Sequence, residues 1–233
     1  MIIPLFYDRQ LYEAGYEIFV NWHVNRYPHV LCIGGTGSGK TTATKWALRN
    51  VAQLVPTAQI YICDFKNDDY KTLEGLPRYY AFTDVLKGID DFCNLLKQRQ
   101  SGEDKRRNFC LLMIDEYSAL LNCLEKKQAE AVKSQVSTML NIGRSFGLHL
   151  WISQQRGDSE FFNRSRDNFS QILACGNPSK ESCAMFGFDR DKMLPCRRGQ
   201  GHALFDGCNQ TAFTVPRIRD FTHLNNEIKK ALQ

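Results

Sequence analysis

The segment that decides the fold reads Gly34-Gly35-Thr36-Gly37-Ser38-Gly39-Lys40-Thr41. It fits the pattern GxxxxGK[ST] at every position, with an apolar run before it (His29 to Ile33) and a helix-like stretch after it (Thr42 to Leu54). Glycines let backbone N–H groups converge on phosphate oxygens, and the positive end of the following helix adds to the attraction. We therefore predict a phosphate-binding loop between a strand and a helix.

This loop assigns roles to individual residues. Lys40 is expected to bridge the β- and γ-phosphates of a nucleotide, and the Thr41 hydroxyl is expected to coordinate Mg²⁺. Together with Thr42, the residues from Gly34 to Thr41 form the predicted nucleotide-binding set.

Further apolar runs of strand length follow at intervals long enough for helices. They are Gln59 to Cys63, Phe109 to Ile114, Leu148 to Ser153 and Gln171 to Cys175. This alternation favours an α/β fold with a mostly parallel sheet and helices on both faces. An amphipathic helix is predicted from Ser118 to Gly143, a β-hairpin around Asp206-Gly207, and a short final helix from Leu224 to Leu232.

Composition places the chain among folded globular proteins. With 233 residues, 43% hydrophobic and 24% charged, it is long enough for one domain with its own core and is not a disordered tail. We expect an N-terminal lead-in at residues 1–27 that packs on a motor domain at residues 28–233. No run is long enough to span a membrane and no secretory signal is readable, so a cytoplasmic location is expected. The nine cysteines include no CxxC pair, which favours reduced thiols in the core.

Two adjacent carboxylates, Asp115 and Glu116, stand at the end of the third apolar run. At a strand tip the chain leaves the sheet, so Asp115 can reach the Mg²⁺ shell while Glu116 polarises an attacking water. We interpret Glu116 and Lys40 as catalytic residues and Thr41 and Asp115 as Mg²⁺ ligands. A solvated turn after a core strand is the alternative interpretation.

Polar amides close the fourth run, at Gln154 and Gln155. If this strand lies between the first and the third, Gln155 can sense the γ-phosphate and hold the water. Ordinary loop amides are the alternative. The absence of an NKxD segment after the phosphate-binding loop argues against a GTPase.

Together these segments resemble the FtsK/SpoIIIE and HerA group of ring-forming DNA pumps. The stretch from Pro28 to Thr41 is similar to that family's PHLLVAGATGSGKS, Asp64-Phe65-Lys66 to its DPK, and Gly143 to Arg156 to its GRAAGIHLxLATQR. The family's second acidic motif matches Leu111 to Glu116, and its glycine-rich late hairpin matches Gly199 to Gly207.

The resemblance implies a RecA-like P-loop fold of the ASCE class with strand order 5-1-4-3-2, ATP and Mg²⁺ as cofactors, and a homohexameric ring around double-stranded DNA. It also implies an arginine that reaches a neighbour's nucleotide. This chain has Cys183 close to the place where the family typically has that arginine. Arg144, Arg156 and Arg190 are the remaining candidates.

Contacts to DNA are expected to go to phosphates, because a pump that moves along any sequence gains nothing from reading bases. The candidates are Arg156, Arg164 and Arg166, in a loop that also carries Phe161 and Phe162. A solvated loop with a local hydrophobic anchor explains this pattern equally well. The basic segments elsewhere, Lys105-Arg106-Arg107 and Arg197-Arg198, are expected in solvated turns.

The leading functional hypothesis is an ATPase that pumps double-stranded DNA for a mobile element, such as a conjugative plasmid, an integrative element or a virus. A relaxase, a portal or a membrane-anchoring protein is the expected partner. The alternatives are a nucleotide-gated adaptor that binds a DNA-processing protein, and a single-strand helicase.

Overall fold

The computed structural model describes all 233 residues. It has ten strands, β1 (Ile2–Asp8), β2 (Phe19–His23), β3 (Val30–Ile33), β4 (Gln59–Asp64), β5 (Tyr79–Ala81), β6 (Cys110–Asp115), β7 (Leu148–Gln154), β8 (Gln171–Cys175), β9 (Gln200–Phe205) and β10 (Asn209–Thr214). Its α-helices are α1 (Arg9–Glu13), α2 (Lys40–Leu54), α3 (Val85–Ser101), α4 (Tyr117–Cys123), α5 (Lys126–Ile142), α6 (Lys180–Phe186) and α7 (Phe221–Lys230). None of these helices combines the length and the apolar character needed to cross a bilayer.

All ten strands belong to one sheet in the order β2-β1-β10-β9-β8-β3-β7-β6-β4-β5. From β8 to β5 every neighbouring pair is parallel, and from β2 to β8 every pair is antiparallel. The five predicted runs occupy the segment β8-β3-β7-β6-β4, which is the order 5-1-4-3-2. The predicted α/β class and the parallel centre are therefore confirmed.

Both faces of the sheet are covered. One core of 31 buried residues packs α2 and α7 against one face, and a second core of 31 residues packs α3, α4, α5 and α6 against the other. Because the central strands are buried on both sides, they are apolar at nearly every position, which is why they were readable as continuous runs. The nine cysteines are free, as expected, and those in β3, β4, β6 and β8 are buried.

The first 23 residues extend this sheet. Strand β1 pairs with β10 and with β2, and its inward residues Ile3 and Leu5 share the first core with α2. Both strands escaped sequence analysis, because β1 and β2 are half-exposed strands without the long apolar runs of the centre. The boundary at residue 27 stays a prediction.

The amphipathic stretch predicted as one helix forms two. Helix α4 ends at Cys123, Leu124 and Glu125 are extended, and α5 begins at Lys126. Hydrophobic spacing missed this break because both helices pack their apolar residues into the same core, so a two-residue interruption leaves the pattern almost intact.

The hairpin prediction is confirmed. Strands β9 and β10 pair from Phe205 and Asn209 to Gln200 and Thr214. Asp206 and Gly207 both have positive φ, at 49° and 67°, in the three-residue loop that joins the paired residues Phe205 and Asn209.

Candidate nucleotide-binding site

A cleft of about 650 Å³ opens at the edge of the sheet where the parallel strands have their carboxyl ends. The loops after β3, β4, β6 and β7 converge there, which is where open α/β sheets bind ligands. The cleft brings together four side chains predicted from the sequence: Lys40, Thr41, Glu116 and Gln155. Thr42 and most of the glycines of the phosphate-binding loop also line it.

Close packing explains two glycines of this loop. A Cβ on Gly34 would lie 2.5 Å from the carbonyl oxygen of Cys175, and one on Gly39 would lie 2.9 Å from the amide nitrogen of Gly199. Gly39 also has φ of 102°, a left-handed conformation, immediately before α2 begins at Lys40. The loop is thus wedged between the end of β8 and the segment before β9, with the N-terminus of α2 open to the cleft.

The side chains of Lys40 and Glu116 lie close together in the cleft. The ammonium Nζ of Lys40 donates to the carbonyl of Gly34 at 2.7 Å and lies 4.0 Å from Glu116 Oε1. Glu116 holds a left-handed backbone with φ of 52°, which costs a non-glycine residue about 1–3 kcal/mol. This conformation turns the chain out of β6, so that Glu116 lines the cleft while Asp115 before it is buried.

Asp115 lies at the last position of β6 with only 2% of its surface exposed. Burial, together with the nearby carboxylates of Glu116 and Asp64, raises the pKa of Asp115 to about 7. A divalent cation at this place would reverse the shift by stabilising the carboxylate. The donor set of Asp115 and the Thr41 hydroxyl consists of hard oxygen atoms, which fits Mg²⁺ held together with nucleotide phosphates.

Asp69 and Lys45 are cleft residues that the sequence analysis missed. Asp69, in the segment after β4, accepts a hydrogen bond from the Thr41 hydroxyl at 3.3 Å. Lys45 lies one turn after Thr41 on α2, with its ammonium 5.1 Å from the ring centre of Tyr70, and burial lowers its pKa. The sequence contained a signal for Asp69, because a loop that follows a parallel strand begins at the same edge of the sheet as the phosphate-binding loop.

The two glutamines at the end of β7 have different surroundings. Gln155 is exposed and lines the cleft, whereas Gln154 is wholly buried and its amide atoms lack hydrogen-bond partners. Strand β7 lies between β3 and β6, as the sensor interpretation assumes, and the sensor role of Gln155 stays a prediction.

Arg198 also lines the cleft, although the sequence suggested a solvated turn. The amide of the next residue, Gly199, donates to the carbonyl of Ser38 at 3.3 Å, and this contact holds the segment before β9 on the phosphate-binding loop. The backbone next to Arg198 is thereby held at the cleft. Sequence reasoning missed it because the contact joins residues about 160 positions apart.

The three candidate trans-acting arginines lie in different places. Arg144 precedes β7 and therefore lies at the amino edge of the parallel strands, about 20 Å from the cleft edge given the rise per residue of a strand. Arg156 follows β7 at the cleft edge, and Arg190 is exposed in a short 3₁₀ helix after α6. Arg144 is thus too distant to act on the nucleotide of its own chain.

The candidate DNA-binding loop after β7 is anchored by its aromatic residues. Phe161 and Phe162 are buried in the second core. The guanidinium Nε of Arg156 lies 3.3 Å from Asp158, and Arg166 lies over the ring of Phe186. Arg164 is exposed and has a left-handed backbone with φ of 66°. The hydrophobic anchor is therefore present, and Arg164 is the member of the three without an ion pair or a contact over an aromatic ring.

Comparison with known proteins agrees with this geometry. No family model matches the chain. The FtsK domain-containing protein YdcQ of Bacillus subtilis is 26% identical over 91% of the chain. The resemblance to FtsK-type ATPases is confirmed. The chain spans 48% of the length of YdcQ.

Solved structures of proteins of secretion, conjugation and virus packaging share the fold. The cytoplasmic domain of the type VII secretion ATPase EccC of Thermomonospora curvata superposes with a TM-score of 0.72 at 19% identity, over 99% of this chain and 31% of that one. The pCW3 conjugation coupling protein TcpA, solved with ATPγS, gives 0.71 at 20% identity, over 93% and 68%. A genome packaging NTPase of Sulfolobus turreted icosahedral virus 2, in complex with ATPγS, gives 0.57 at 13% identity, over 84% and 100%.

Proposed function

We propose that this chain is an ATPase motor that moves double-stranded DNA, acting in the cytosol as a homohexameric ring for a mobile element such as a conjugative plasmid, an integrative element or a virus. The observation that carries the proposal is the cleft at which the phosphate-binding loop, Glu116 and Gln155 meet, with the buried Asp115 directly before Glu116 in the chain. The resemblance to FtsK-type ATPases supports the two remaining parts of the proposal, which are double-stranded DNA as the substrate and a hexameric ring as the assembly. A relaxase, a portal or a membrane-anchoring protein would connect the motor to its pathway.

The chemistry follows from the residues in the cleft. Backbone amides of the loop and Lys40 would bind the phosphates of ATP. Thr41 and Asp115 would hold Mg²⁺, which when bound would neutralise charge on the transferred phosphate group. Glu116 accepts a proton from water and Gln155 orients that water. Because Lys40 Nζ lies 4.0 Å from Glu116 Oε1, phosphate binding and water activation would take place side by side.

Nucleotide binding is the first test. A fluorescent ATP analogue should bind the wild type, and Lys40→Ala should abolish binding because it removes the cation that contacts the phosphates. Lys71→Ala, a change to an exposed lysine outside the cleft, is the matched control and should bind normally. Equal binding by wild type and Lys40→Ala would contradict the assigned role of the loop.

Coupling to DNA is the second test. ATP hydrolysis should rise several-fold with duplex DNA, and the stimulation should fall as salt rises, because the contacts are to phosphates. Arg164→Ala should weaken the stimulation more than Arg156→Ala, since Arg156 already lies beside Asp158. Turnover that ignores both DNA and salt would exclude a DNA pump.

The same assay separates the alternatives. Stronger stimulation by single strands than by duplex would indicate a helicase. Slow, DNA-independent turnover with no ring in electron micrographs would favour a nucleotide-gated adaptor. Gln155→Ala should keep nucleotide affinity, because the Gln155 side chain lines the cleft but makes no hydrogen bond to the phosphate-binding loop. It should lose the DNA response, because the proposed sensor is removed.

A polypeptide substrate is a further candidate. EccC of Thermomonospora curvata has been solved with a signal sequence peptide bound to its ATPases 2 and 3, and that structure shares this fold with a TM-score of 0.69. Stimulation of hydrolysis by secreted polypeptides instead of duplex DNA would favour this function.

A further inference from the structure

The Thr41 hydroxyl has a carboxylate partner that the proposed nucleotide site does not otherwise use. Its Oγ1 donates to Oδ2 of Asp69, 28 residues later in the chain, at 3.3 Å. Both residues line the cleft. The contact therefore lies where the magnesium nucleotide would bind.

A hydroxyl group has one proton to donate and two lone pairs. When Thr41 gives its proton to Asp69, the lone pairs are free to face a cation, and the negative partner makes the oxygen a better ligand. Residues that hydrogen-bond to metal ligands in this way fix ligand orientation and raise ligand basicity. The Thr41–Asp69 bond has the direction that Mg²⁺ coordination by Thr41 requires.

Asp69 is held in place from two sides. Lys66 Nζ lies 3.7 Å from its carboxylate and offsets part of its charge. The loop itself is pinned by Asp64, a fully buried residue whose carboxylate accepts the amide N–H groups of Asn67 at 3.0 Å and Tyr70 at 3.2 Å. The phenol of Tyr79 donates to the same carboxylate at 3.1 Å. The segment between β4 and β5 is thus folded in advance around the position of Asp69.

We propose that Asp69 is a positioning residue for magnesium. It accepts a hydrogen bond from the Thr41 hydroxyl, orients the Thr41 oxygen toward the metal, and so sets the Mg²⁺ concentration that nucleotide binding requires. This inference rests on the proposed function, because it assumes that Thr41 binds the metal of a nucleotide. Asp69 acts through Thr41 and does not itself touch the nucleotide.

The experiment is a titration of Mg²⁺ with a fluorescent ATP analogue present, read as bound nucleotide and not as hydrolysis. Asp69→Ala should raise the Mg²⁺ concentration for half-maximal binding by about tenfold or more, the scale on which lost partners of metal ligands act. Asp69→Asn keeps an oxygen that accepts the Thr41 proton and should restore most of the affinity.

The chain offers a matched control in Asp68. This carboxylate lies in the same segment and pairs with the same lysine, 3.1 Å from Lys66 Nζ, but does not contact Thr41. Asp68→Ala should leave the Mg²⁺ requirement unchanged. An equal shift in the Asp68 and Asp69 variants would mean a general charge effect and would overturn the proposal.

A double-mutant cycle tests whether Asp69 acts through Thr41. In a Thr41→Ala background, Asp69→Ala should add nothing to the Mg²⁺ requirement. Additive effects would overturn the positioning role. If wild type binds no nucleotide at any Mg²⁺ concentration, the proposed function fails first, and that result differs from a wild type that binds while Asp69→Ala behaves as wild type.

Discussion

At the amino edge of the parallel strands, Arg99 is buried and its donors reach Asp104, Asn108, Cys110 and the carbonyl of Phe146, at distances from 2.6 to 3.3 Å. At the carboxyl edge, Lys40 satisfies one carbonyl and its ammonium remains 4.0 Å from Glu116. One edge uses its charge to hold the fold, and the other keeps its charge available. A buried charged group whose donors are all occupied by protein acceptors stabilises the fold, whereas one with free donors is available to bind a ligand.

The largest expected effect is at the carboxyl edge. Glu116→Gln should lower kcat by about 10²–10⁴-fold, because it removes the group that we propose accepts the proton from water. Nucleotide affinity should stay within about threefold, since the phosphate contacts through Lys40 and the loop remain. Single-turnover and binding measurements check both, and a parallel loss of affinity would contradict the assignment of Glu116 as a base.

The next effect is at the amino edge. Arg99→Met should lower the free energy of unfolding by about 3 kcal/mol, because several buried acceptors lose their donor. Urea denaturation measures this loss. Arg106→Met is the control: Arg106 also contacts Asp104, at 2.9 Å, but its side chain is 67% exposed, so unfolding should hardly change. Loss of nucleotide affinity in folded Arg99→Met would break the division between the two edges.

The histidines of the amino edge predict a pH dependence. Burial lowers the pKa of His29 to about 3 and that of His149 to about 4, and His29 Nδ1 accepts the amide N–H of Leu150 at 3.1 Å. Unfolded histidines bind protons below about pH 6.5, so the unfolded state gains protons that the folded state refuses. Stability should therefore be full above about pH 6.5 and fall on acidification by up to about 1.4 kcal/mol per pH unit for each histidine.

A variant assigns this slope. His149→Gln should reduce the pH dependence of unfolding between about pH 4 and 6.5. The same slope in wild type and His149→Gln would contradict the contribution assigned to His149.

The smallest effect concerns Arg198, which extends the cleft. Arg198→Ala should weaken nucleotide binding about fivefold, as expected for one exposed charge near phosphate groups. Arg197→Ala, a change to an exposed neighbour outside the cleft lining, should have no effect. Equal affinities of the two variants would remove Arg198 from the site.

Sequence patterns were sufficient where a residue type is forced by local geometry. Three features could be predicted because their physical cause lies within a few residues. They are the glycine loop before α2, the apolar runs of β3, β6, β7 and β8, and the Asp206-Gly207 turn. The acids Asp115 and Glu116 were readable for the same reason, because they end an apolar strand.

Contacts between distant segments were decided only by the tertiary structure. Asp69 meets Thr41 because β4 and β3 are parallel strands whose carboxyl ends share an edge, and Arg198 reaches the loop because the chain before β9 returns across it. The split between Gln154 in the core and Gln155 in the cleft depends on where β7 leaves the sheet. Local sequence fixes which groups a segment carries, but the free energy of packing the whole chain decides which of those groups meet.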